Sequence, residues 1–344
     1  MKIVADQSIP FLQGVFEPYS EVVYLPGGDI APADVRDADA LIIRTRTRCD
    51  AALLEGSSVR LISTATIGTD HIDEPWCDAH GILVRNAAGC NAGGVMQYVY
   101  SALYGVAARA SISLEGKTIG IIGVGNVGRR VDNAAKILGF KILRSDPPRE
   151  AAEGPFGYCP LEELLAESDI VTLHVPLTEQ TRGMAGTSFF KKMKRGAFFI
   201  NASRGEVVDE KALLKAIPRL GPVIIDTWDH EPDINRDLLD KVAIGTPHIA
   251  GYSYQGKQNG TAAAVRAVAH YFGIQPLFEF FPATELPENE AVKLELRGKS
   301  QGEIAAIFQY NYPVFTDDFL FRMDPSRFEE LRAQYNYRRE FFIT

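Results

Sequence analysis

The chain has 344 residues, 46% apolar and 23% charged, the proportions of a soluble globular protein long enough for two or three domains. With 36 basic against 44 acidic residues the net charge is −8, which argues against nonspecific nucleic-acid binding and means that an anionic ligand needs a locally basic pocket. No apolar run approaches the ~18 residues of a membrane span, and the opening run has no signal-peptide pattern, so a cytoplasmic protein without nucleic-acid or membrane partners is expected.

Residues 1–93 alternate short apolar runs (Lys2–Ala5, Ala40–Ile43, Arg60–Ser63, Ile82–Val84) with amphipathic pieces at Asp50–Leu54 and Ile72–Ala79. That alternation predicts a parallel sheet covered by helices. Arg44, Thr45, Arg46, Thr47 and Arg48 follow the second run. If the strand continues through them, the three arginines share one face and concentrate positive charge in an otherwise acidic protein. A phosphate site is the reading favoured over an exposed basic strand edge. Gly93–Arg109 reads as a long helix, with Val95, Val99, Leu103 and Val106 along one side, entering a second domain.

The second domain opens on Thr118-Ile119-Gly120-Ile121-Ile122, which breaks into Gly123-Val124-Gly125-Asn126-Val127-Gly128. Helical spacing follows at Val131, Ala134, Ala135 and Leu138, then a second apolar run that reaches Asp146 about 18 residues past Gly128. Strand, glycine turn, helix, strand and terminal acid form a dinucleotide-binding fingerprint. Gly123 permits a tight turn, Gly125 admits a pyrophosphate to the backbone, and Gly128 lets helix and strand pack closely. The helix N-terminus receives the phosphate charge. Asp146 accepts a ribose diol and repels a 2′-phosphate, favouring NAD.

Further apolar runs (Asp169–Val175, Ala197–Asn201, Val223–Thr227, Val242–Gly245) suit a doubly wound sheet, with function at the C-terminal strand ends. There, Arg204 can grip a carboxylate with two hydrogen bonds. His248 lies in a turn set by Pro247 and Gly251, and its imidazole suits removal of a hydroxyl proton. Glu231, about 17 residues upstream, can hold the other ring nitrogen and stabilise the imidazolium. Any one of these alone reads as a cap, a surface ion pair or a loop acid. His174 is expected to contribute backbone rather than side chain.

Gln258–Phe272 is read as a helix returning to the first domain, Phe281–Glu290 as a linker, Val292–Leu296 and Arg338–Ile343 as strands, and Gln301–Phe308 and Arg327–Gln334 as helices. Some sixty residues is little for independent stability, so this last module is expected to pack on another chain. Cys49, Cys77, Cys90 and Cys159 show no paired or metal-ligand spacing and read as reduced packing thiols.

Together, Gly-Val-Gly-Asn-Val-Gly from Gly123, Asn-Ala-Ser-Arg-Gly-Glu-Val-Val-Asp from Asn201, Asp-Thr-Trp followed by Glu231-Pro232, and Thr-Pro-His-Ile-Ala-Gly-Tyr from Thr246 resemble the D-2-hydroxyacid dehydrogenase family. Thr64–His71, Ala88–Ala92, Asp146–Arg149 and the trailing module narrow the resemblance to a branch acting on a phosphorylated acid. It implies two doubly wound parallel-sheet domains, a flavodoxin-like substrate domain (1–93 with 255–280) and a Rossmann NAD domain (94–254). A small α+β module (281–344) would mediate homodimerisation. It implies Arg204, Glu231 and His248 as catalytic residues. It places NAD against Gly123, Gly125, Asn126, Val127, Gly128, Asp146, Val175, Asp226 and Gly251. It places substrate against Thr45, Thr66 and Tyr252, beside Arg44 and Arg46 read from the basic run. The implied reaction is NAD-dependent oxidation of 4-phospho-D-erythronate to 2-oxo-3-hydroxy-4-phosphobutanoate, in pyridoxal 5′-phosphate biosynthesis. Another 2-hydroxyacid dehydrogenase, such as one for 3-phosphoglycerate, and a non-catalytic NAD-sensing protein are the alternatives. Arg338 or Arg339 of a partner subunit is a further candidate for the phosphate site.

Overall fold

A computed structural model describes residues 1–284 and 286–344. They divide into two compact units, the first comprising 1–91 and 253–290, the second 92–252 and 291–344. The linker expected over Phe281–Glu290 includes Glu285, which lies outside the described residues.

The first unit is a five-stranded parallel sheet of β1 (Lys2–Asp6), β2 (Glu21–Leu25), β3 (Ala40–Ile43), β4 (Leu61–Thr64) and β5 (Leu83–Asn86), in the order β2-β1-β3-β4-β5. This is the flavodoxin-like order, with its reversal between β1 and β3. β1, β3 and β4 are almost wholly buried, as continuous apolar runs covered on both faces require. The edge strand β2 is only partly buried and is not among the runs read from sequence. The helix Tyr254–Phe272 closes the unit, with Ala264, Val265, Val268 and Ala269 in one apolar cluster with β1 and β3.

The second unit holds six parallel strands: β6 (Thr118–Ile122), β7 (Lys141–Ser145), β8 (Ile170–Leu173), β9 (Phe198–Asn201), β10 (Val223–Ile225) and β11 (Ile244–Gly245). Their order, β11-β10-β9-β8-β6-β7, reverses between β6 and β8. Ligands of open parallel sheets bind at such a switch point, outside the carboxyl ends of the strands. The glycine turn leaves β6 there.

Two expectations change. The helix Ala92–Arg109 is not one-sided: every residue from Ala92 to Ala107 is buried. It is enclosed because the helices Asn126–Ile137, Gln301–Asn311 and Val314–Met323 all pack on it. The C-terminal stretch finds its support within its own chain. Its strands β12 (Val292–Leu294) and β13 (Phe341–Ile343) pair in parallel, and Phe308, Phe341 and Ile343 join the cluster that contains Tyr98, Val99 and Leu103.

Candidate active site

In the second unit the glycine turn meets each requirement of the fingerprint. Gly123 has φ +84°, and a Cβ there would lie 2.7 Å from the His174 carbonyl oxygen. A Cβ on Gly128 would fall 2.0 Å from the Gly123 oxygen, so the helix Asn126–Ile137 touches the strand exit through bare backbone. Gly125, the N-cap of that helix, faces open space. The first N–H groups of a helix have no partners within it, and here those of Asn126, Val127 and Gly128 begin it. Asp146 folds back on the turn: it accepts from Val124 N at 2.7 Å and from Arg149 N at 3.1 Å, capping the helix Pro147–Glu153. Arg144 is bound to Asp132 (2.6 Å) and Arg149 to Glu153, so both cations beside Asp146 already have carboxylates. The residues present therefore suit a dinucleotide with a free ribose diol. Val175 follows β8, with its Cγ1 beside Gly123. His174 is half-buried, and the desolvation of its ring pushes the imidazole down to about 3; its Nε2 lies 3.0 Å from Thr172 Oγ1. It is neutral and takes no part in proton transfer near pH 7.

Arg204, Glu231 and His248 all stand at adjacent strand ends in this unit. Asn201, the last residue of β9, shapes the first turn. Its Oδ1 accepts from Ser203 N and Oγ, and its Nδ2 donates to Arg204 O at 3.0 Å. A Cβ on Gly205 would sit 1.9 Å from the Trp228 carbonyl, so the Arg204 turn lies directly on the turn after β10. Glu231 is tied into that turn by Trp228 N, which donates to its Oε1 at 2.9 Å. Its Oε2 lies 2.8 Å from His248 Nδ1. Burial pushes the Glu231 carboxyl up, but His248, the Trp228 N–H and Arg332 outweigh it and hold it below the ordinary range. Glu231 is a carboxylate, which makes Nδ1 the protonated ring nitrogen and leaves Nε2 free to accept.

His248 itself has φ +55°, the left-handed region that costs a non-glycine residue about 1–3 kcal/mol. What holds it there is Asp226, which is fully buried. Thr246 Oγ1 donates to Asp226 Oδ1 at 2.6 Å, Ile249 N to the same oxygen at 2.8 Å and Ala250 N to Oδ2 at 2.9 Å. Tyr98 Oη lies 2.8 Å from Thr246 Oγ1, and Trp228 Nε1 donates to Thr246 O. Asp226 thus enters as the anchor of the histidine turn rather than as an exposed acceptor. Gly251 and Tyr252 end that turn. The Tyr252 ring packs edge-on against Tyr335 and Tyr337, with the Arg332 guanidinium 5.9 Å from its centre.

In the first unit, β3 stops at Ile43, and residues 45–47 form a turn because Thr47 Oγ1 is drawn to Gly27 O at 2.8 Å. The shared arginine face therefore does not form. Arg44 Nη1 donates to Ser8 O at 3.0 Å, and Arg48 is spent on Asp50 at 2.7 Å. Thr45 and Arg46 are exposed on the turn. Thr66 follows the neighbouring β4, its hydroxyl 2.7 Å from that of Thr64. Arg44, Thr45, Arg46 and Thr66 thus follow the C-terminal ends of adjacent strands. Arg338 is also corrected: its guanidinium is consumed within its own chain, as described below, and is not offered to a partner.

Residues 97–250 match the family model for the D-isomer specific 2-hydroxyacid dehydrogenase NAD binding domain. The erythronate-4-phosphate dehydrogenase of Bacteroides fragilis is 43% identical, with 99% of this chain and 97% of that one covered. The chain belongs to the erythronate-4-phosphate dehydrogenase branch of the D-isomer specific 2-hydroxyacid dehydrogenase family. The Porphyromonas gingivalis member of the branch is 41% identical over 99% of this chain and 94% of its own. An NAD+-bound 3-phosphoglycerate dehydrogenase from Entamoeba histolytica superposes with TM-score 0.68 at 27% identity, over 83% of this chain and 99% of that one. The TT0316 protein from Thermus thermophilus gives TM-score 0.70 at 26% identity, over 79% and 97%. NAD is the cofactor of this family domain.

The two glycines separate binding from stability. Gly125→Ala should leave the melting temperature of the cofactor-free protein unchanged and raise the Kd for NAD about tenfold or more. Gly128→Ala, which forces helix off strand, should destabilise by about 1–3 kcal/mol. Calorimetric melting together with NAD titration checks both.

Proposed function

We propose that the protein catalyses the NAD-dependent oxidation of 4-phospho-D-erythronate at C2, giving 2-oxo-3-hydroxy-4-phosphobutanoate, a step of pyridoxal 5′-phosphate biosynthesis. The observation that carries the reading is the ionised Glu231 on His248 Nδ1, which orients Nε2 as a proton acceptor. Sequence relatives of this name at about two-fifths identity across the chain supply the substrate.

The chemistry divides among named groups. NAD, when bound at the glycine turn, supplies the acceptor for the hydride that C2 gives up. His248 Nε2 takes the proton of the C2 hydroxyl as the carbon–oxygen double bond forms. Glu231 stabilises the imidazolium that results and keeps the ring in one orientation. Arg204 is assigned to the substrate carboxylate, which it can hold with two parallel hydrogen bonds next to the reacting carbon. The remaining cofactor contacts are assigned to Gly123, Gly125, Asn126, Val127, Gly128, Asp146, Val175 and Gly251, with Asp226 acting through the turn it anchors. The 4-phosphate is assigned to Arg44 and Arg46, and further substrate contacts are assigned to Thr45, Thr66 and Tyr252. A doubly charged phosphate requires cations of this kind in a chain of net charge −8.

Two further assignments accompany the activity. A cytoplasmic location is assigned; the four cysteines form no disulfide among the described residues, and no helix among them is long and apolar enough to cross a membrane. The protein is assigned as a homodimer through its C-terminal module. Tyr310, Phe319, Leu320 and Met323 support this, being 85%, 61%, 47% and 68% exposed on the helices Gln301–Asn311 and Val314–Met323.

NADH formation with 4-phospho-D-erythronate, erythronate and 3-phosphoglycerate should give kcat/KM highest for the first. NAD binding with no reduction by any of them would favour a sensor, and preference for 3-phosphoglycerate another dehydrogenase. Light scattering should report a dimer that Phe319→Glu with Met323→Glu converts to monomer; an unaltered mass would exclude this surface.

A further inference from the structure

We propose that Arg338, near the end of the C-terminal module, is a positioning residue for the catalytic turn. It grips the backbone immediately after His248 from the side opposite Asp226. The proposal rests on the reading of His248 as the proton acceptor.

Both terminal nitrogens of this arginine, far from the strand ends in sequence, are bonded, while its buried Nε has no partner. Its Nη1 donates to Ile249 O at 3.2 Å and to Tyr252 O at 3.1 Å. Its Nη2 donates to Ala250 O and, at 3.1 Å, to Gly94 O at the start of the helix Ala92–Arg109. The guanidinium lies 3.9 Å from the centre of the Tyr312 ring, a cation–π contact. Its charge is balanced through Tyr335. Nη1 donates to Tyr335 Oη at 3.0 Å, and Tyr335 and Tyr312 each donate to the half-buried Asp317, at 3.0 and 2.9 Å.

The two grips are complementary. The Asp226 carboxylate accepts the N–H groups of Ile249 and Ala250, whereas the Arg338 guanidinium supplies donors to the C=O groups of the same two residues and of Tyr252. The four-residue segment 249–252 cannot form a helix or strand ladder of its own, so beyond the bond from Tyr252 N to Ile249 O its peptide groups need partners from elsewhere. Here an anion takes the donors and a cation takes the acceptors. The segment is the one that follows a residue at φ +55°, where relaxation of the backbone would swing the imidazole away. Arg338 is itself fixed by its own tail. Gln97 Nε2 donates to Arg339 O at 3.0 Å, and a Cβ on Gly93 would lie 2.0 Å from Glu340 Oε2, so the tail lies flush on the helix start. The C-terminal module therefore shapes the catalytic turn of its own chain.

The test compares the unsubstituted protein with Arg338→Lys, which keeps the charge and loses the fork, and Arg338→Ala. Hydrogen exchange of a peptide covering 246–252 is read against one covering 120–131, alongside kcat, KM and the Kd for NAD. The proposal expects exchange to accelerate across 246–252 and not across 120–131. It expects NAD affinity to stay within about threefold, and kcat to fall by on the order of 10²-fold in Arg338→Ala, the scale of a catalytic group displaced by about 1 Å. Millimolar methylguanidinium should restore part of that kcat. Unchanged exchange over 246–252, equal acceleration in both peptides, or a fall in NAD affinity that matches the fall in kcat would overturn it. If Arg338→Ala does not fold, Arg338→Lys decides by the same exchange comparison. Absence of turnover in the unsubstituted protein would count against the proposed activity alone, because the exchange measurement reads the clamp without it.

Discussion

One buried carboxylate sets the geometry on which the site depends. Asp226 stands at the exit of β10 and accepts three hydrogen bonds from Thr246, Ile249 and Ala250, at the exit of β11. Burial raises that carboxyl above its ordinary range, and His248 and the Thr246, Ala250 and Ile249 donors offset only part of the rise. Without such an acceptor the turn would leave two amides buried and unpaired, at about 1–3 kcal/mol each. With it, a histidine is held in a backbone conformation that it would not choose. Such strain collects at functional sites, and here the surrounding bonds explain why it persists.

The rest of the second unit follows from the same logic of strand ends. A parallel sheet delivers its loops to one edge, and each functional group occupies the first residues after a strand: Gly123 after β6, Asp146 after β7, Arg204 after β9, Glu231 after β10 and His248 after β11. Close backbone contact keeps these loops in register. Gly205 touches the Trp228 peptide, Gly128 the Gly123 carbonyl and Gly123 the His174 carbonyl, so side chains are excluded where the loops meet. Charges are separated by role. Glu231 remains ionised against His248, while His174 nearby is stripped of charge by burial. One of the two imidazoles is equipped for proton transfer and the other is packing.

What could be read from sequence was whatever had a local cause. The glycine turn was legible because Gly123 and Gly128 answer to neighbours within a few residues or on the adjoining strand. The buried strands were legible as unbroken apolar runs. Features set by distant partners were not. The arginine face after β3 failed because Thr47 is bound to Gly27, twenty residues earlier. The helix Val314–Met323 gave no apolar stripe, since Phe319, Leu320 and Met323 point outward while Asp318 is buried against Arg322 and Gly245. The anchoring role of Asp226 could have been suspected from the short polar run Asp226-Thr227 matched by Thr246. Arg338 could not have been, because its backbone acceptors lie between 86 and 244 residues away.

The central claim is that His248, held by Glu231, removes the hydroxyl proton. The most direct measurement is the pH dependence of kcat/KM for His248→Asn beside the unsubstituted enzyme, with NAD affinity measured in both. The account predicts unaltered NAD binding, turnover reduced on the order of 10²- to 10⁴-fold, and loss of the acid limb that protonation of the imidazole produces. Turnover within a few-fold of normal, with the acid limb still in place, would contradict it.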